Sequence, residues 1–468
     1  MELSQSYKIA FKQFQEEFSK ENIIDNNDYQ IIQKKEDLFK KFYKVWPQYI
    51  DPIILLIRFY RMNKNHEKAS QWIKKIDNET EKSYDNLLYI NEFIFERIFD
   101  EHIYRKNVLA GAKYAIQYLN MKGSCNTLFI YTNFYFFSHK IPGDTEWLIF
   151  KKCGIENEEL HSSSMCFYPP ENILCVRYVN YVYDDLLNSI PSMEKYISKN
   201  LIYWLGSDPE TQKFVQENFW DNKTVATRCF GLEDIRLIQD SNGCCEFWAT
   251  QQQWSGDGIN RIVRGNLIFD TLLGNQPIFT NLQILEPPDN NCCEKNWIPF
   301  YGDGRGSQTL QIIYSWWPFQ VGSLQADNKL QITYIQENLP EIFRYMRGSS
   351  CLIKYNSPIN PNKFCCVTHL SLDPPDGKGL RRYFHFLVFL ALKDEKLLIT
   401  HFTEPFYFPD KNSLTHTIQY CIGFNIRPNG KNLYAQFWYS SMDNHSGFIE
   451  CPMDFFETKK HSVIGYQN

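Results

Sequence analysis

From about residue 123 onward the chain offers short strand-like runs with no long helical pattern between them, and this restricts its fold more than any other feature. The runs cover 127–137, 173–182, 201–204, 244–249, 310–316, 330–334, 363–370, 383–392 and 418–424. They are rich in the β-branched and aromatic residues that suit a pleated, half-buried surface. Turn pairs such as Asn242-Gly243, Asp303-Gly304, Asp376-Gly377 and Asn429-Gly430 separate many of them. Parallel strands need a crossover connection, usually a helix, so a parallel α/β fold does not fit. A pair of sandwiches, a large barrel or a propeller remains. Polar clusters recur in successive strand groups, as they would if each blade of a propeller lent one element to a central pocket.

The first 120 or so residues have another texture. Ile53, Leu56, Ile57 and Tyr60 fall at i, i+3, i+4 and i+7, and Ala69, Trp72, Ile73 and Ile76 repeat the spacing. Pro47 and Pro52 punctuate the start of the first of these helices. With Trp46-Pro47 they suggest a tetratricopeptide-type helix pair, and a second pair is expected through 87–99 and 109–119. Residues 1–122 are therefore read as a helical domain that caps the next one or offers a groove to a protein partner, and residues 123–468 as the β-domain.

Composition excludes several function classes. A net charge of −5 and a pI near 6.1 give no electrostatic footprint for nucleic acid. No run approaches the roughly 18 apolar residues of a membrane span. The segment 1–20 is charged and lacks an apolar core of the secretory type, so a cytoplasmic setting is expected and the 14 cysteines are read as reduced thiols. The vicinal pairs Cys244-Cys245, Cys292-Cys293 and Cys365-Cys366 do not have zinc-site spacing, and no metal or other cofactor is expected. Aromatics make up 16% of residues, which suits a large β-core and also stacking on sugar rings.

The chemistry concentrates in Gly231-Leu232-Glu233-Asp234-Ile235-Arg236-Leu237-Ile238, where two carboxylates and an arginine interrupt an apolar strand. Strict alternation would place Asp234 and Arg236 on one face, so that the arginine orients the carboxylate. Further polar clusters follow in Glu294-Lys295-Asn296-Trp297, Arg347-Gly348-Ser349-Ser350 and Arg381-Arg382-Tyr383-Phe384-His385. Together they supply a carboxylic acid, cations, amides and aromatics, the parts of a sugar site with an anion pocket. There is no phosphate-binding glycine loop, no His-Glu-x-x-His and no nucleophile elbow.

At Glu233-Asp234-Ile235-Arg236 the sequence resembles the Glu-Asp-Pro-Arg motif of the five-bladed β-propeller mannoside phosphorylases and their hydrolase relatives, with Ile235 in place of proline. It more closely resembles proteins of bacteria and large DNA viruses that join a helical region to such a propeller. Their signatures appear as 294–300, Tyr314-Ser315-Trp316, Arg347-Gly348-Ser349-Ser350, Val367-Thr368-His369, Arg381-x-Tyr383-x-His385 and Glu404-Pro405-Phe406-Tyr407-Phe408. The basic residue expected after His385 is Phe386. The resemblance implies a mainly β chain, a five-bladed propeller preceded by a small α-helical domain. It also implies a metal-free glycosyltransferase or glycoside phosphorylase using inorganic phosphate or a sugar phosphate as co-substrate. By it Asp234 is the general acid, with Glu233 beside it. Arg236, Lys295, Asn296, Trp297, Arg347, His369, Arg381, Tyr383 and His385 become the residues that hold the sugar or the anion. A glycan-binding propeller without catalysis and an inverting hydrolase are the alternatives; hydrolysis would need a second carboxylate, Glu233 or Glu404, across the sugar.

Overall fold

The computed structural model describes residues 5–18, 29–45, 51–62, 65–79, 138–150, 153–155, 158–181, 195–208, 211–217, 229–252, 258–289, 293–304, 307–354, 363–372, 382–411, 418–430 and 432–463. The chain divides into two compact units, 1–133 and 134–468. The expected boundary at 122, the second helix pair, the strand at 127–137 and Arg381 lie outside the described residues.

In the first unit four helices are described: α1 (Gln5–Phe18), α2 (Tyr29–Val45), α3 (Asp51–Met62) and α4 (His66–Glu79). The periodic residues Ile53, Leu56, Ile57, Tyr60, Ala69 and Ile73 are buried in one core with Phe11, Phe14 and Phe39. Burial of that stripe drives the packing, because helices of this length are marginal alone. Glu36 on α2 adds a polar tie, accepting from Tyr60 Oη at 2.7 Å and Lys68 Nζ at 2.6 Å. No described helix is long and apolar enough to cross a membrane.

The second unit is mainly β, in a propeller-like arrangement. Its described residues form five sheets, numbered here in chain order. Sheet I is built on Glu158–Tyr168, Ile173–Val179 and Tyr196–Trp204; sheet II on Glu233–Gln239, Cys245–Gln251, Arg261–Asp270 and Gln276–Ile284. Sheet III holds Ile298–Gly304, Ser307–Trp316, Phe319–Leu324 and Leu330–Gln336. Sheet IV is built on Lys363–Leu372, Arg382–Lys393 and Lys396–Thr403, with Arg347–Gly348 and Ile353–Lys354 along one edge. Sheet V holds Gln419–Asn429, Asn432–Ser441 and His445–Pro452. Within each sheet, chain neighbours pair antiparallel.

The sheets pack in a cycle. Glu158–Tyr168 of sheet I touches both Glu233–Gln239 of sheet II and Gln419–Asn429 of sheet V. Ile238, Trp248 and Ile262 of sheet II share a core with Ile312 and Leu330 of sheet III. Sheet III meets sheet IV through Leu330–Gln336 against Lys396–Thr403, and sheet IV meets sheet V in a core of Val367, Leu387, Phe406, Phe424 and Phe437. Early chain completes the late sheets: Glu146–Trp147 pairs with His445–Pro452, and His139–Lys140 pairs with Phe406–Tyr407. At that seam Glu404 takes both His139 and, at 3.5 Å, His461 as partners.

The expected strands from 173 onward are present with shifted ends. Asp303 and Gly304 are the last rungs of a strand pair, opposite Gln308 and Ser307, where a turn was expected. Strands at Glu158–Tyr168, Arg261–Asp270 and Asn432–Ser441 were not anticipated.

Candidate functional site

The strands Glu158–Tyr168, Glu233–Gln239 and Gln419–Asn429 each carry a register shift near their beginnings, between Ser162 and Met165, Glu233 and Arg236, and Cys421 and Gly423. An extra residue in one strand breaks the alternation and re-aims the side chains around it. Consecutive residues Ser163 and Ser164 would face opposite ways in a regular strand. Here Ser163 Oγ donates to Asp443 Oδ1 at 2.7 Å and Ser164 Oγ to Asp234 Oδ1 at 3.1 Å. Asp234 is the irregular residue of its own strand, with a left-handed φ of 53°, and Asp443 sits in the hairpin after Asn432–Ser441 with φ of 49°. A left-handed aspartate costs on the order of 1–3 kcal/mol unless its surroundings hold it, and such strain gathers at functional sites.

The centre of the cluster is Arg177, a residue that sequence reasoning did not select. It comes from Ile173–Val179, every residue of which is buried. Its Nε donates to Ser198 Oγ at 3.0 Å, Nη1 lies 3.2 Å from Asp234 Oδ1 and Nη2 3.4 Å from Glu233 Oε1. Burial opposes its charge, but Glu233, then Tyr181, Asp234 and Asp443, outweigh it and keep the guanidinium protonated well beyond its ordinary range. Asp443 behaves oppositely. Withdrawal from water lifts its carboxyl above the ordinary aspartate range, and the charges of Asp234 and Glu233 add to this, while Arg177 and Ser163 pull it down.

Arg236 belongs to a different layer. It is 2% exposed; Nε donates to Ser349 O at 2.9 Å, and Nη2 reaches Gly348 O and Asn296 Oδ1 at 3.4 Å. Its contact with Asp234 is to the main-chain oxygen, at 3.2 Å. The shared-face expectation therefore fails: the inserted residue separates the two side chains, and Arg177 takes the carboxylate that Arg236 was expected to orient. Arg236 instead ties sheet II to sheet IV through backbone carbonyls. Gly348 fits this junction because a Cβ there would stand 2.7 Å from Asn296 O.

Asn296, with φ of 64°, accepts from Tyr420 Oη at 3.0 Å. His369 lies beneath, its Nδ1 2.7 Å from Ser349 Oγ and its ring stacked on the half-buried Tyr383 with centroids 5.5 Å apart. Burial, then His385, Arg347 and Arg236, hold His369 well below the usual imidazole range. His385 pairs in register with His369 and is 0% exposed between Phe406 and Phe408. Burial pushes it down to about 3, countered in part by the main chain of Phe406. It offers no atom to a ligand in this arrangement, so its expected sugar contact is replaced by a place in the core. The same holds for Trp297, 1% exposed, whose Nε1 donates to Glu294 Oε2 at 2.8 Å. It is a core anchor rather than a sugar platform.

Lys295 and Arg347 are exposed and border a cavity of about 550 Å³ together with Glu294, Asn296, Tyr314, and Trp316. Lys295 Nζ lies 3.7 Å from Glu233 Oε2, which joins this cavity to the carboxylate cluster. Glu404 does not join it. Its partners are His139 and His461, which hold its carboxyl down to about 2 against the opposing effect of burial. The structure thus assembles Glu233, Asp234, Lys295, Asn296 and Arg347 with the unforeseen Ser163, Ser164, Arg177 and Asp443. One signal could have found Arg177: a lone cation inside the apolar run 173–179 requires a buried carboxylate partner.

No protein-family model matches the chain, and no curated protein does. Among solved structures it is similar to a Bacillus subtilis levansucrase mutant at 10% identity and a TM-score of 0.35, over 65% of this chain and 86% of that one. A B. megaterium levansucrase mutant gives 11% identity and a TM-score of 0.40, over 70% of this chain and 92% of that one. Similarity this slight assigns neither a residue nor an activity.

Proposed function

We propose that the second unit is a five-bladed propeller that acts on glycosidic bonds, each sheet being one blade, with Asp234 and Asp443 as its working carboxyl pair. The cyclic packing of the sheets supports the blade count. One observation carries the chemistry: adjacent serines on one strand hold two carboxyl groups against a single buried arginine, and the two groups sit in different electrostatic surroundings. A carboxyl whose surroundings raise it is suited to general acid work beside a second carboxyl.

The family resemblance implied Asp234 as the proton donor. Asp443 suits that role better: Ser163 holds it at 2.7 Å, and burial, with the charges of Asp234 and Glu233, raises its carboxyl above the ordinary aspartate range. Asp443 then protonates the leaving oxygen, and the Asp234 carboxylate, held by Ser164 and Arg177, faces the charge that develops at the anomeric carbon. Lys295 and Arg347, the exposed cations of the adjoining cavity, are the groups for an anionic co-substrate, which makes the site metal-free glycosyl transfer or phosphorolysis. Glu233 in the same cluster is a carboxylate that could activate water, so inverting hydrolysis is the second reading.

The test compares Asp443→Asn with wild type on a panel of alkyl and aryl glycosides, with and without inorganic phosphate. Loss of the general acid should cut turnover of alkyl glycosides by about 10²–10⁴-fold and spare aryl glycosides, whose leaving groups need little protonation. The fall in wild-type rate at alkaline pH should vanish in the variant. Equal losses on both substrate types would remove the acid role from Asp443. Phosphate-dependent product marks phosphorolysis; binding without turnover in wild type marks a glycan-binding protein.

A further inference from the structure

About 10 Å along the strand from Asp234, two thiols from different sheets meet at the backbone of one residue of sheet II. Leu237 N donates to Cys166 Sγ at 3.2 Å, and Cys351 Sγ donates to Leu237 O at 3.6 Å. The N–H and C=O of one strand residue point to the same side, so the two sulfurs lie side by side along that edge. Cys166 belongs to sheet I and Cys351 to the edge segment of sheet IV, and these sheets are not neighbours in the cycle.

We propose that Cys166 and Cys351 are a reversible disulfide pair, closed by a small hydroperoxide. Cys166 is buried, but Cys351 is partly exposed and borders a cavity of about 290 Å³ formed with Leu237, Phe167, Pro299 and Phe364, which gives a small oxidant a way in. The Cys351 thiol, outweighing the cost of burial, favours the thiolate at Cys166, and the Leu237 N–H and the Arg236 charge assist it. One thiolate attacks a peroxide oxygen and breaks the O–O bond, giving a sulfenic acid and, after protonation, one water. The second sulfur attacks the sulfenic sulfur, forms the S–S bond and releases another water. Two thiols and one hydrogen peroxide thus yield one disulfide and two waters, the two electrons passing from sulfur to oxygen. The closed bond would link sheets I and IV beside the sheet II strand that carries Glu233 and Asp234, and hold the edge of that strand fixed.

Cys175 is the competing partner, since it lies directly opposite Cys166 in sheet I. Cys175 is 2% exposed and does not border the cavity, whereas Cys351 does. The experiment treats the full chain with hydrogen peroxide, blocks remaining thiols, and maps the peptides by mass spectrometry before and after dithiothreitol. The expected result is a loss of two hydrogens per chain, a peptide joining Cys166 to Cys351, reversal by dithiothreitol, and a higher thermal midpoint in the oxidised form. Cys351→Ser should abolish the loss; the wild-type map decides even if that variant folds poorly. An unchanged mass, a Cys166–Cys175 peptide, or oxygen atoms that survive the reductant would each overturn the proposal.

Discussion

Replacing Arg177 by methionine keeps an unbranched apolar stem, two atoms shorter, and deletes the charge on which the cluster depends. Two ion pairs are lost, at 3.2 and 3.4 Å, each with both partners mostly buried. Leaving a carboxylate buried without its cation costs about 3–5 kcal/mol. Glu233 keeps Lys295 at 3.7 Å, but Lys295 is 41% exposed and that pair is worth at most about 1 kcal/mol. Most of the loss therefore falls on Asp234 and Asp443, and it depends on pH in a definite direction. Asp443 already holds its proton above the ordinary range, and Arg177 is one of the groups pulling it down. Without Arg177 the folded protein binds protons more tightly than the unfolded chain over a wider window. Stability then rises as pH falls through that window, by up to about 1.4 kcal/mol per pH unit for each carboxyl. The expected result is a loss of about 3–5 kcal/mol in urea unfolding at pH 8, followed by tryptophan fluorescence, shrinking markedly at pH 5. A loss under about 1 kcal/mol at pH 8, or one that is the same at both pH values, would refute this account of the cluster.

His385→Phe tests the buried imidazole from the other side. With its folded value near 3 and its unfolded value near 6.5, the histidine's contribution is complete above pH 6.5 and is lost as pH falls towards 3, on the order of 4–5 kcal/mol in all. Beside Phe406 and Phe408 a phenylalanine should flatten that acid limb in thermal midpoints taken between pH 7 and 4, and an equally steep limb in the variant would contradict the assignment. Gly231→Ala should destabilise by more than about 2 kcal/mol, because φ is 94° and the added Cβ would stand 2.1 Å from Ser198 O. Since Ser198 also receives Arg177 Nε, the same variant should weaken the site; an unchanged melting midpoint would show that this junction has slack.

Composition and periodicity carried the class of each unit because those signals are local: apolar residues at 53, 56, 57 and 60 need only a helix, and runs such as 383–392 need only a pleat. The polar clusters of the candidate site stood out for the same reason, as charged and amide residues in apolar sequence. What alternation could not deliver was the facing of side chains, since one inserted residue reverses it. Leu232, Ile235 and Leu237 share a single core cluster, although a regular strand would put Leu232 on the other side from the later two. The shift between Glu233 and Arg236 makes that possible, and it parts Asp234 from Arg236. Ser163-Ser164 and Asp443 escaped notice because their sequences read as a polar stretch and an ordinary turn, and nothing local joins residues 280 positions apart. A strand that must turn a carboxylate toward the pocket while keeping leucines in the core has to break its own period at that point. The residues most useful to the chemistry are therefore those at which a period-two reading goes wrong, and irregular, polar starts of otherwise apolar strands are where such a site is to be sought.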